Sequence, residues 1–197
     1  MNPSDYLSQT LAESTAIKER FLSECGDSLV AAAQLVAAAV QSGGKLLIFG
    51  NGGSAADAQH MAAEMVGRML VERKPLPAIA LTTDTSNLTA IGNDYGYDHI
   101  FLRQVQALAA PQDVVLAIST SGNSKNVLLA VEAAKKIGCK VISLTGGSGG
   151  KLSAIADIAL NASLGKNSSR IQETHIFAIH SIVDMMDRFF LHPSSQA

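Results

Sequence analysis

The sequence predicts an α/β protein in which a parallel sheet is covered by helices on both faces. Three observations carry that expectation. Short runs such as Val114-Val115-Leu116-Ala117-Ile118 are apolar at every position, the pattern of strands buried on both sides. Segments with helical spacing separate these runs, so strand and helix alternate. Two of the runs pass directly into loops of Gly, Ser and Asn before a helix opens.

The elements follow in order. From Tyr6 to Val40 the pattern is helical, with Leu7, Leu11, Ile17, Phe21 and Leu22 at roughly helical spacing. Asp27-Ser28 precedes an alanine-rich run, Leu29 to Val40, which Gly43-Gly44 stops. Such a helix packs closely on another, either in the core or at a seam between chains. Lys45-Leu46-Leu47-Ile48-Phe49-Gly50 reads as a buried strand, Ser54 to Leu70 as a helix and Ala78 to Thr82 as a strand. Val114 to Ile118 is the next strand, Ser124 to Ile137 a helix ended by Gly138, Val141 to Leu144 a strand and Ile158 to Leu160 the last. The final helix runs from about Ser169 to Leu191, with Pro193 and the Ser-rich end outside the core. No repeat or low-complexity linker interrupts the 197 residues, which predicts one domain with residues 1–42 as an N-terminal helical extension.

Bulk composition removes several function classes. The net charge is −2 with no run of Lys or Arg, which argues against a nucleic-acid or membrane surface. Aromatics are 5% with no Trp, so base-stacking platforms are not expected. Cys25 and Cys139 read as reduced thiols of a cytoplasmic protein. No apolar run approaches the roughly 20 residues of a spanning helix, and the charged N-terminus has no signal-peptide core.

The serine loop, Ser119-Thr120-Ser121-Gly122-Asn123-Ser124, lies between a strand and a helix. Ligands of open α/β sheets bind beyond the carboxyl ends of the strands. A helix start offers unpaired N–H groups and partial positive charge, and the hydroxyls add donors. A phosphate therefore fits there without Lys or Arg. A plain N-cap is the bland alternative, but capping needs only one such side chain.

The glycine loop, Gly50-Asn51-Gly52-Gly53-Ser54, also follows a strand. It matches neither the dinucleotide fingerprint nor the P-loop, yet it exposes backbone N–H groups. On the helix beyond, Asp57, His60, Glu64 and Arg68 form one polar stripe. The stripe is either a solvated face or, given its start beside a ligand loop, an acid–base site. The last helix carries Arg170-Ile171-Gln172-Glu173-Thr174-His175 and His180. Gln172 and His180 are eight residues apart, about 12 Å along the axis. His99, His175 and His192 read as structural.

Several separated motifs together give a resemblance over nearly the whole chain: GNGGSAADAQH with Glu64 behind it, LTTDTS, GNDYGY, STSGNS, LTG, and RIQETH with His180. With these, the chain resembles the sugar isomerase (SIS) domain family. The resemblance implies a five-stranded parallel sheet in a flavodoxin-like three-layer α-β-α sandwich, and a homotetramer with active sites at subunit contacts. It implies an aldose–ketose isomerase that converts sedoheptulose 7-phosphate to D-glycero-D-manno-heptose 7-phosphate, an early step towards the heptose of lipopolysaccharide core. Asn51, Gly52 and Gly53 would contact the sugar; Ser119, Thr120, Ser121 and Ser124 would hold the phosphate, with Ser54 nearby. Asn93 and Asp94 match a substrate-contacting pair. Glu64 and His180 match the acid–base residues, and His60, Glu64, Gln172 and His180 match a zinc site. Ser169 departs from an acidic residue that some of these isomerases carry. The rivals are an SIS isomerase of another sugar phosphate and a non-catalytic SIS branch that binds the replication initiator protein. That branch lacks the Glu and His that are present here.

In the implied reaction a base takes the proton beside the carbonyl, giving an enediol, and the proton returns to the neighbouring carbon. Glu64 is assigned as base at carbon and His180 as acid at oxygen. Zinc would polarise the carbonyl, although a zinc-bound Glu64 would be a poorer base. Because Gln172 and His180 are so far apart along one helix, different chains are expected to contribute to each site.

Overall fold

The computed structural model describes residues 2–191; His192 and Pro193 lie outside the described residues. Five parallel strands form one sheet: β1 (Leu46–Gly50), β2 (Ala78–Ala80), β3 (Val114–Ser119), β4 (Lys140–Gly146) and β5 (Ile158–Ala162), in the order β2-β1-β3-β4-β5. The helices are α1 (Pro3–Gln41), α2 (Gly53–Val66), α3 (Thr85–Tyr95), α4 (Ile100–Leu108), α5 (Lys125–Ile137), α6 (Gly150–Ile155) and α7 (Ser168–Leu191). Every expected strand is present.

Strand residues alternate between two cores, as a pleated sheet requires. Leu46, Ile48, Leu116, Ile118, Ile142 and Leu144 face α1, α2 and α7, where Phe21, Ala33, Val36, Met61, Ile179 and Val183 are buried. Leu47, Phe49, Val115, Ala117 and Val141 face the other way, against Phe101, Val105, Val127, Val131 and Leu152. Each fully buried Leu, Ile or Phe contributes about 1.5–3 kcal/mol relative to exposure. Burial on both faces explains why these strands read as continuous apolar runs.

The N-terminal region is one unbroken helix. Asp27-Ser28 lies inside α1, because Cys25, Leu29, Ala32 and Ala33 keep a continuous buried stripe past it. An 18-residue window of α1 has a mean hydropathy of 1.2, long and apolar enough to cross a membrane by length and composition. α1 as a whole packs on α7 and β5, and Ala32, Ala33, Ala37 and Ala39 within it are buried.

Residues 83–113, which the apolar pattern left without an element, fold as α3 and α4, joined by a short 3-10 turn at Tyr97–His99. α3 has no fully buried residue, so it gives no periodic signal; Asp84 caps it by accepting from the Asn87 N–H. α2 ends at Val66, four residues earlier than expected, with Gly67 as its C-cap. Arg68 therefore leaves the polar stripe and pairs with Glu72 in the following loop.

The strand order reverses between β1 and β3, which are neighbours although β2 comes between them in sequence. Connections leave to opposite faces at that point and open a crevice at the carboxyl edge. The glycine loop follows β1 and the serine loop follows β3, so both border this crevice.

Candidate active site

The serine loop folds as a compact cup. Ser119 is buried at the end of β3, and its Oγ lies 2.9 Å from Ser124 Oγ and 3.4 Å from Ser121 Oγ. Ser124 is the N-cap position of α5 but makes no capping bond with its side chain. Its hydroxyl points to Ser119 instead, which favours a cradle over a simple cap. Thr120 is half-buried beside them. Gly122 has φ +63°, and a Cβ there would run into the Gly149 carbonyl. Glycine is thus required where the Gly146–Gly150 loop crosses behind the cup.

The glycine loop is tied to this cup by side-chain amides. Asn51 and Asn126 exchange two hydrogen bonds of 2.9 Å, and Tyr97 Oη donates to Asn51 Oδ1 at 2.9 Å. The Asn51 side chain is therefore engaged with protein. Gly52 adopts φ +58° at the start of α2. Ser54 is buried, and its N–H bonds to the Asn51 carbonyl. Gly53 lies against the Gln172 amide, which a Cβ would strike.

α2 and α7 run side by side from this edge, and a second cluster lies further along them. His60 Nε2 is 3.2 Å from Glu64 Oε1 and 3.0 Å from His180 Nε2; His180 Nε2 is 3.7 Å from the same oxygen. The Glu64 side chain is 15% exposed and its Oε2 is buried without a partner among the described residues, while the two imidazoles are about half exposed. These three ligand atoms lie within 4.8 Å of one another. A tetrahedral zinc with N and O ligands sets edges of about 3.3 Å, so the residues fit a metal ion.

The sequence matches the SIS domain model over residues 9–146. A relative from Campylobacter concisus named phosphoheptose isomerase is 57% identical over 83% of this chain and 86% of its own. A probable phosphoheptose isomerase of Thermoplasma acidophilum is 56% identical over 83% of this chain and 90% of the relative. The solved structure of a phosphoheptose isomerase from Neisseria gonorrhoeae superposes with a TM-score of 0.88 at 48% identity, covering 93% of this chain and 98% of that one. The chain belongs to the SIS domain family, and within it to the phosphoheptose isomerases.

Against that family's expected site, the structure brings the residues together in two groups. Asn51, Gly52, Gly53, Ser54, Ser119, Thr120, Ser121, Ser124 and Gln172 gather around the two loops. His60, Glu64 and His180 form the second group. From Gly53 it is seven residues to His60 and eleven to Glu64, about 10 and 16 Å along α2. Within one chain Gln172 is thus apart from the three potential metal ligands. Asn93 and Asp94 lie at the exposed end of α3 and hydrogen-bond to each other.

Asp57 lies on α2 between the two groups. Burial pushes its carboxyl up to about 6, against the pull of His60, and its Oδ2 has no partner among the described residues. His175 is buried and bonds through Nε2 to the Thr145 carbonyl; desolvation holds it down at about 4, so it is neutral. That agrees with its reading as structural. Asn126 and Tyr97 were missed from the sequence. Asn126 is a polar residue on an α5 face otherwise made of Val127, Ala130, Val131 and Ala134, and that mismatch was its signal.

Proposed function

We propose that this protein is an aldose–ketose isomerase that converts sedoheptulose 7-phosphate to D-glycero-D-manno-heptose 7-phosphate, an early step in supplying heptose for lipopolysaccharide core. The observation that carries this reading is the meeting of Glu64 and His180 at 3.7 Å in a fold whose crevice is lined by a hydroxyl cup. One group exchanges a proton with carbon, the other with oxygen, and the cup holds a dianion.

In this reading Ser119, Ser121, Ser124 and the Thr120 region bind the phosphate, and the N-terminus of α5 adds favourable partial charge. The glycine loop and Gln172 orient the sugar, with Asn93 and Asp94 completing its binding. Glu64 removes the proton beside the carbonyl, and His180 supplies a proton to the oxygen. Glu64 Oε1 faces both imidazoles while Oε2 has no partner among the described residues, so its two oxygens can serve different tasks. His60, Glu64 and His180 would hold zinc, with Gln172 reaching it from a neighbouring chain. Bound there, the ion would act as a Lewis acid on the sugar carbonyl.

The separation of cup and cluster along α2 supports a site shared between chains of a cytoplasmic homotetramer. One chain supplies the cup, loop and Gln172, and its partner supplies the His–Glu–His cluster. Glu64 and His180 then belong to the same half. The chain acts as one SIS domain with residues 1–42 as its helical extension. An assay with sedoheptulose 7-phosphate beside pentose and hexosamine phosphates, with and without chelator, tests the reading. Selective turnover of the heptose supports it; turnover of only another sugar phosphate, or of none, removes it.

A further inference from the structure

We propose that Arg73 and Asp187 are positioning residues that set the separation of Glu64 and His180; the inference rests on the isomerase reading of that pair. Arg73 stands in the loop after α2, and its side chain is only 2% exposed. Its Nε donates to Asp187 Oδ1 at 2.6 Å. Its Nη2 donates to the backbone carbonyl of Glu64 itself at 2.8 Å, and Nη1 to those of Met65 at 2.8 Å and Gly67 at 3.1 Å. The last carbonyls of a helix lack intrahelical partners, and α2 has no basic residue in its final turn. Arg73 supplies both the donors and the positive charge there.

Asp187 follows His180 by two turns on the same side of α7. A closed ring results: Glu64 carboxylate to His180 imidazole, down α7 to Asp187, across to Arg73, and back to the Glu64 carbonyl. His60 and His180 are about half exposed. The buried pair below them fixes how far α2 and α7 stand apart where the two reacting groups meet. A planar guanidinium can bridge three carbonyls and a carboxylate at once; an ammonium cannot.

The double variant Arg73→Met/Asp187→Leu removes both buried charges together, an exchange often tolerated for stability. The expected result is a folded protein with KM within about twofold of the parent, since the serine cup is untouched, and kcat lower by about 10- to 100-fold. Arg73→Lys keeps a cation for Asp187 and is expected to show the same split, which covers the case in which the double variant does not fold. Lys45→Met strands the buried Asp113 at the opposite edge of the sheet. It is expected to lower the melting temperature with kcat unchanged. The imidazole NMR signals of His60 and His180, recorded without metal or substrate, are expected to move in the Arg73 variants and not in Lys45→Met. Folded Arg73 variants with parental kcat and unmoved imidazole signals overturn the inference, as does an equal kcat loss in Lys45→Met. A parent protein inactive on every sugar phosphate removes the isomerase reading instead, while the imidazole signals still decide the clamp.

Discussion

His60 and His180 face each other across the seam of α2 and α7 with their Nε2 atoms 3.0 Å apart and ring centroids 5.1 Å apart. Either one nitrogen donates to the other or both direct lone pairs at a cation between them. Glu64 Oε1 lies beside both nitrogens, which favours the cation. Zinc at about 100 times its Kd is then expected to stabilise the fold by about 2.7 kcal/mol. Thermal melts of chelated protein titrated with zinc measure this. His60→Ala should abolish the shift; a shift of the same size in that variant would mean the ion binds elsewhere.

The hydroxyl cup predicts a different kinetic signature. Ser119 Oγ holds Ser124 at 2.9 Å and is the buried floor of the cup. A hydrogen bond to a charged group contributes about 1.5–3 kcal/mol, so Ser119→Ala is expected to raise KM by about 10- to 100-fold. The kcat at saturation should change much less, because the reacting carbons lie at the other end of the ligand. Steady-state kinetics of Ser119→Ala and Ser121→Ala check this, and an unchanged KM in both would show that the phosphate binds elsewhere.

The strands and the two ligand loops were legible in the sequence because burial on both faces leaves uninterrupted apolar runs, and because turn chemistry concentrates Gly, Ser and Asn. α3 was not legible, since with no fully buried residue it leaves no period to read. The Arg73–Asp187 contact joins residues 114 positions apart, and nothing local in sequence marks either partner. The division of the site was legible only in part. Sequence spacing sets Gln172 and His180 about 12 Å apart along one helix, while the pairing of α2 with α7 puts His60 and Glu64 beside His180. Asn126 shows the limit of patterning from the other side: a polar residue on an apolar helix face marks a mismatch, but the mismatch does not say that Asn51 is its partner.

That division predicts the outcome of mixing inactive chains. Gln172 belongs to the half with the loops, and Glu64 and His180 to the other. Mixed oligomers of Gln172→Ala and Glu64→Gln should regain activity, up to about a quarter of wild type for random assembly. Mixtures of Glu64→Gln and His180→Ala should regain none, because each chain damages the same half. Activity assays after unfolding and refolding the mixtures together measure both. Recovery by the second pair, with none by the first, would reverse the assignment of halves.

Two groups shifted in opposite directions by burial should hide each other's pH dependence. The Asp57 carboxyl is raised to about 6 by burial, from an ordinary value of 3.8. Between those values the folded state holds a proton that the unfolded state has released, so this contribution to stability falls as pH rises from about 4 to 6. His175 is lowered to about 4 from 6.5, again by burial. There the unfolded state holds the extra proton, so its contribution falls as pH drops from about 6.5 to 4. Over the shared interval the two slopes oppose each other, the His175 one on the order of 3 kcal/mol in total and the Asp57 one smaller, because solvent screens its half-buried carboxyl. Asp57→Asn should therefore be more stable than the parent above pH 6, show no such gain near pH 4, and lose stability more steeply on acidification. His175→Gln should be less stable at pH 7 through its weakened bond to the Thr145 carbonyl, yet lose less stability towards pH 4. Chelated protein unfolded in urea at several pH values gives both slopes. Parallel pH curves for Asp57→Asn and the parent would show that the Asp57 carboxyl titrates like an exposed one, and that His175 alone sets the acid sensitivity of this core.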